Sequence, residues 1–221
     1  MFAHIAVGIC LLSLFSSSSF ADQWRRISKF EFASENKQHL LKIEPHERWV
    51  DKPGHCLATL YRVDGEEHIE LWSRFLINNH APVRVFVSNS GDFVVTMDEW
   101  HRVGKLPFVI YGPKGKLICV HSTDSLGLRD DIEHIKRTVS SYWWNENSIN
   151  FFGPKEEVFY IRLHWGKILL LKLSNGDLMD DDWYELSKGW SITEEKWNSL
   201  HDFAKRHLIK LENATSQASD E

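Results

Sequence analysis

Three short stretches of the chain bring imidazole, indole and carboxylate side chains together. They are Glu44-Pro45-His46-Glu47-Arg48-Trp49-Val50-Asp51-Lys52-Pro53, Asp98-Glu99-Trp100-His101-Arg102-Val103-Gly104-Lys105, and His164-Trp165-Gly166-Lys167. Each holds one His and one Trp, and the first two add several carboxylates. Indole supplies a large amphipathic contact area, while imidazole and carboxylate are orientable polar groups and acid–base catalysts near neutral pH. Two functional uses follow. Trp49, Trp100, Trp165, His46, His101, His164, Asp98 and Glu99 can form a ligand-binding face suited to a saccharide, a peptide or a protein. Alternatively, Asp98, Glu99 and His101 can serve a hydrolase or metal-assisted enzyme, provided His46 or His164 converges on them. A packing role, with indoles wedged between neighbouring sheets and the charges solvated, is the third reading of the same residues.

The rest of the sequence narrows the chemistry. No two of these His fall at i, i+4 helical spacing, and no His-Glu-x-x-His occurs, so no metal is expected. The acidic run Asp177-Leu178-Met179-Asp180-Asp181-Asp182 lacks the spacing and glycine of a calcium-binding EF-hand loop and reads as a solvated turn. There is no Gly-x-Ser-x-Gly elbow and no phosphate-binding glycine loop, and neither Cys56 nor Cys119 sits in a context that lowers a thiol pKa. No catalytic residue and no cofactor is therefore assigned, and a non-catalytic binding module is favoured over an enzyme.

The elements that must position these stretches are hairpins. Phe30–Phe32 and Leu40–Ile43 flank the polar turn Ser34-Glu35-Asn36-Lys37. Val83–Val87 and Phe93–Met97 flank Ser88-Asn89-Ser90-Gly91-Asp92, and Ile149–Phe152 and Val158–Ile161 flank Gly153-Pro154-Lys155-Glu156. Each hairpin is followed by a second one: Leu57–Arg62 with Ile69–Phe75 across Asp64-Gly65, Phe108–Tyr111 with Leu117–His121 across Pro113-Lys114-Gly115, and Ile168–Leu173 with Leu178 onward across Asn175-Gly176. Asp-Gly and Asn-Gly between apolar runs are strong hairpin signals. Both hairpins of each pair shift together along the chain, so the repeating unit is a set of four strands. In such a unit the first and third turns lie at one end, and the middle connections, which are the three His/Trp stretches, gather at the other. The fold class is mainly β: about three four-stranded antiparallel repeats, with two helical additions. Leu128, Ile132, Ile135 and Val139 recur at helical spacing and predict an inserted helix over 124–141. Ser191 with Glu194 makes a capping box ahead of the stripe Trp197, Leu200, Phe203, Ala204, Leu208 and Leu211, which predicts a C-terminal amphipathic helix.

Four-stranded antiparallel units at this spacing resemble the blades of β-propellers of the broad WD40 and YVTN kind. In particular, Val87-Ser88-Asn89-Ser90-Gly91-Asp92-Phe93-Val94-Val95-Thr96-Met97-Asp98-Glu99-Trp100-His101 looks like the blade pattern of uncharacterised secreted bacterial proteins with propeller-like repeats. The resemblance covers residues 30 to 180, and no blade carries the Gly-His or Trp-Asp signature of WD40 repeats. Three blades are fewer than a closed propeller uses. The resemblance therefore implies an open stack of sheets, a curled sandwich, or a ring completed by a second copy through exposed edge strands, that is, a homodimer.

Residues 5 to 15 are an uncharged apolar run, followed by a serine run and Ser19-Phe20-Ala21. This pattern predicts a signal peptide over 1–21 cleaved before Asp22, although the n-region carries only His4 and the terminal amine; an uncleaved anchor is the alternative. The expectation is an exported protein, periplasmic or extracellular, with no membrane span after cleavage. Its single β-repeat domain runs over 22–212 and a polar, disordered tail over 213–221. Cleavage leaves Cys56 and Cys119, whose separation is not diagnostic: a disulfide and two buried free thiols are equally compatible with it. The chain has 221 residues, is 43% hydrophobic, and carries a net charge of −5 with no basic block. That composition is globular and gives no support for nucleic-acid binding.

Overall fold

The computed structural model describes residues 29–46, 54–153 and 155–179. The expected signal peptide over 1–21, Trp49, the expected C-terminal helix with its Ser191/Glu194 capping box, and the tail over 213–221 lie outside these residues. Over the described residues the architecture is all β, built of four antiparallel sheets. The first sheet is a meander of β1 (Phe30–Ala33), β2 (His39–Glu44), β3 (Leu57–Asp64) and β4 (Glu67–Phe75). The second repeats that order with β5 (Pro82–Val87), β6 (Val94–Glu99), β7 (Phe108–Tyr111) and β8 (Leu117–His121). A two-stranded ribbon, β9 (Lys136–Arg137) with β10 (Tyr142–Trp143), precedes the third meander: β11 (Ile149–Phe152), β12 (Val158–Arg162) and β13 (Ile168–Lys172). The bridge between Leu171 and Leu178 begins a fourth edge on that sheet.

The turn chemistry fixes each register. Asp64 pairs with Glu67 across Gly65, whose φ of +62° belongs to the left-handed region that glycine enters without steric cost. Strand alternation then sorts the apolar side chains into two seams. Leu41, Ile43, Ala58, Leu60 and Trp72 from the first sheet meet Val85, Val87, Val94, Val109 and Tyr111 from the second. Val95, Met97, Phe108 and Ile110, on the other face of the second sheet, meet Phe159, Ile161, Leu169 and Leu171 of the third. The second sheet is thus buried on both faces, which is why β6 and β7 are buried along their whole length.

The helix expected over 124–141 is not formed. Ser122 to Leu128 instead makes tight turns, Ile132–His134 a single 3-10 turn, and the remainder runs into the β9–β10 ribbon. Serine hydroxyls take the amides that a helix would need: Ser122 N–H donates to Ser125 Oγ (2.8 Å) and Ser125 N–H to Ser122 Oγ (3.1 Å). Gly127 adds a left-handed residue at φ +65°. The four apolar residues do not share a face. Leu128 and Ile135 enter the second seam, whereas Ile132 and Val139 are 44% and 81% exposed. Cys56 and Cys119 are free thiols, Cys56 packed in the first seam and Cys119 against the second.

At the end that carries the first turn of each meander, the three turns are hydrogen-bonded in series. Asn36 N–H donates to Asn89 Oδ1 (2.8 Å), and Asn36 Nδ2 donates to the Asn89 carbonyl (3.1 Å). Asn89 N–H donates to Glu156 Oε1, and Ser90 N–H to Glu156 Oε2 (3.0 Å). The leading strands β1, β5 and β11 converge there on a cavity of about 600 Å³, lined by Ala33, Val85, Val87, Asn150 and Phe152 among others.

Candidate functional site

The opposite end is organised by two adjacent carboxylates. Along β6, Val94 faces the first sheet while Val95 and Met97 face the third. Simple alternation would send Asp98 back toward the first sheet. Instead Asp98 has a left-handed backbone, φ +62°, a conformation that asparagine and aspartate tolerate better than other side-chain-bearing residues. Its carboxylate therefore turns toward the third sheet. Oδ1 accepts from Gly104 N–H (2.7 Å) and Trp144 Nε1–H (2.9 Å), and Oδ2 accepts from Asn145 Nδ2 (2.7 Å). Asp98 is wholly buried, and burial pushes its carboxyl up to about 7 against the pull of these three donors and the nearby Arg84 guanidinium. Arg84 is itself anchored, donating to Ser148 Oγ at 3.0 Å.

Glu99, 2% exposed, faces the other seam. Its oxygens accept from the backbone N–H groups of Asn79 (3.0 Å) and His80 (2.9 Å), with the His80 ring 3.5 Å away. These bonds clamp the β4–β5 connection, whose Asn78 carbonyl accepts Cys56 N–H and whose His80 carbonyl accepts His46 N–H. Asp98 and Glu99 thus serve as internal struts. Each has its acceptors filled by protein donors, and neither presents an oxygen to solvent.

Around these struts the structure gathers some of the sequence-selected residues and separates others. The His80 ring meets His101 edge-on (centroids 5.7 Å apart), and His101 meets Trp100 in the same way (6.4 Å). Trp100 packs on Phe30 (5.6 Å) at the edge of the first seam. Trp100 and His101 therefore adjoin one another, and His80, which the sequence reading did not select, links them to His46 through its carbonyl, which accepts His46 N–H at 3.2 Å. His164 and Trp165 form a second group: Trp165 stacks on His134 (5.6 Å, 19° between planes) and meets His164 edge-on at 4.8 Å. Burial, then the neighbouring His134, hold the His164 imidazole below its ordinary range. Residues 144–146 join the two groups, Trp144 and Asn145 bonded to Asp98 and the Glu146 backbone adjoining His164. Among the described residues, no three His, Cys, Asp or Glu are placed to hold a metal ion.

The middle connections also build something that their composition did not announce. Arg102, Val103, Gly104 and Lys105 form one wall of an open groove of about 720 Å³. Thr123, Asp124, Leu128, Arg129 and Ile132, with the β9–β10 turn from Thr138 to Tyr142, complete its lining. Gly104, at φ +89°, is required here: a Cβ would stand 2.6 Å from that of Tyr142. Sequence reasoning missed this groove because much of its lining falls in the segment read as a helix. The available signal was the Ser/Gly/Asp density of residues 122–131, which marks turns, together with the basic residues on either side of it. Compared with known proteins, the chain matches no family model and no curated sequence.

Proposed function

We propose that this chain is an exported, non-catalytic ligand-binding module whose recognition surface is the end bearing the β2–β3, β6–β7 and β12–β13 connections. The observation that carries this reading is the groove walled by Arg102 to Lys105. It is a concave, open site lined in part by the β6–β7 connection, immediately after Trp100 and His101 in the chain, whose rings meet each other and that of His80. The use made of Asp98 and Glu99 agrees with it. Their oxygens are committed to holding loops in place, as the supporting residues of a preorganised binding surface are. An enzyme acting through Asp98, Glu99 and His101 would need those two carboxyls to reach a substrate, and the geometry favours no such role. Export rests on the signal-peptide pattern of residues 1–21.

The three meanders are read as propeller-like blades. Supporting this are the identical strand order of the first two, the convergence of β1, β5 and β11 on one cavity, and the serial bonding of Asn36, Asn89 and Glu156. Two experiments test the two halves of the proposal. Intrinsic tryptophan fluorescence of the purified mature protein is followed against panels of saccharides and peptides, for the native protein and for Trp100→Phe. Saturable quenching by one class, weakened in the variant with unchanged circular dichroism, is the expected result; an unfolded variant would return Trp100 to a packing role. Solution mass and scattering test the architecture: a monomer fits an open stack of three blades, and a dimer fits a ring completed by a second copy.

A further inference from the structure

The chain carries a net charge of −5, yet the groove inverts that sign. Arg102, Lys105 and Arg129 line it against a single carboxylate, Asp124. Among the described residues none of these three cations makes an ion pair, so their charge is uncommitted. The walls are held by the protein's own bonds: Val103 N–H to Ser141 Oγ (3.3 Å), Tyr142 N–H to the Val103 carbonyl (2.8 Å), and Leu128 N–H to the Thr123 carbonyl (3.0 Å). A ligand therefore meets a formed site with little ordering cost. Beside the cations stand aliphatic groups. Val103 and Leu128 are buried in the groove lining, and Ile132 and Val139 are exposed at its rim. Sugar rings are recognised on open aromatic faces, but the one aromatic ring of the lining, Tyr142, is stacked at 4.5 Å under the Arg137 guanidinium. Exposed aliphatic groups beside unpaired cations match a ligand that carries both carboxylates and apolar side chains.

We propose that this groove binds an extended acidic peptide segment. Its carboxylates would meet Arg102, Lys105 and Arg129, and an aliphatic or aromatic side chain would settle against Leu128, Ile132 and Val139. The inference rests on the reading of this end as a recognition surface and narrows the ligand to one class. Guanidinium groups lining one groove give bidentate, charge-assisted bonds to carboxylates, and charge complementarity speeds encounter with an anionic partner.

The test uses the full mature protein and a fluorescein-labelled decapeptide alternating Asp or Glu with Leu, read by fluorescence anisotropy. An isosteric Asn/Gln/Leu peptide and an unlabelled hexauronate serve as controls. The acidic peptide is expected to bind, with affinity falling as salt is raised, and the neutral peptide to bind at least tenfold more weakly. Arg102→Gln/Arg129→Gln and Ile132→Ser/Val139→Ser, all changes of exposed side chains, are each expected to lose tenfold or more with unchanged circular dichroism. Binding that survives Arg102→Gln/Arg129→Gln but is lost in His101→Asn would overturn this groove and leave the wider loop-end reading standing. Displacement by hexauronate with Ile132→Ser/Val139→Ser unaffected would overturn the peptide class. A folded protein that binds none of the probes would overturn the acidic-peptide assignment, and the wider loop-end reading would then be decided by the tryptophan-quenching panels.

Discussion

Replacing Asp98 by Asn isolates the electrostatic cost of the strut between the second and third sheets. Burial raises this carboxyl from its ordinary 3.8 to about 7. Each pH unit of difference is worth 1.36 kcal/mol, so the ionised form costs about 4 kcal/mol more in the folded than in the unfolded state. The sign follows from proton linkage. Between pH 4 and 7 the folded state holds a proton that the unfolded state has released, so stability is greatest below the unfolded pKa and declines as pH rises through about 7. From pH 5 to pH 8 the native protein should lose about 2 to 3 kcal/mol through this residue alone. Asp98→Asn keeps Oδ1 for Gly104 and Trp144, and rotation of the Asn145 amide can supply an acceptor to the new Nδ2. Urea unfolding of both proteins at pH 5, 6, 7 and 8 is the assay. Subtracting one stability profile from the other cancels the histidines common to both. The variant is expected within about 1 kcal/mol of the native protein at pH 5 and to gain on it by 2 to 3 kcal/mol at pH 8. A difference that does not move with pH would refute the reasoning: it would mean that three N–H donors and Arg84 keep the carboxylate ionised throughout.

Glu156→Ala removes the acceptor of two backbone amides in the neighbouring sheet's turn and, at an exposed site, should cost about 1 kcal/mol in a urea titration; no change would mean that those turns are held without it. Burial pushes the Cys56 thiol up to about 12 and Cys119 to about 11, so a disulfide reagent should find both sluggish in the native protein prepared without residues 1–21 and titrate two thiols in denaturant without reductant; fewer than two would mean a bridge. Gly65 has open space around it, so Gly65→Ala should lose about 1 kcal/mol from its left-handed φ alone, and Gly65→Asn less; equal and larger losses in both would point to a steric cause.

The hairpins were legible because their determinants are local. Asp64-Gly65, Pro113-Lys114-Gly115 and Asn175-Gly176 lie between runs of apolar residues, and the observed pairings close on those turns. The segment from 124 to 141 was misread because spacing alone cannot distinguish one buried face from four apolar residues with separate fates. Leu128 and Ile135 are drawn inward by the second seam, while serine hydroxyls and Gly127 deny the backbone its helical bonds. Of the eight residues chosen for chemistry, Trp49 lies outside the described residues. Trp100 and His101 adjoin one another, His46 is reached only through the His80 carbonyl, and His164 and Trp165 form their own cluster. Asp98 and Glu99 each face the seam opposite to the one strict alternation assigns, because one left-handed residue reversed the alternation of β6, an event with no periodic signature. The partners of those carboxylates, Trp144, Asn145, Asn79 and His80, lie 19 to 47 residues away and carry no motif.

Two consecutive residues that brace opposite seams have a consequence for how the molecule comes apart. Each meander pairs only chain neighbours, an arrangement that by itself would allow the sheets to melt one after another. Losing the third sheet, however, strips Asp98 of Trp144 and Asn145, and any slackening at Asp98 is passed through one peptide bond to Glu99, which holds the β4–β5 connection on the far side. The two seams are therefore linked in a single cooperative unit. A fragment ending after β8 would lose two of the three donors that hold Asp98 and bare the far face of the second sheet to water, so removing the third sheet should weaken the first two as well.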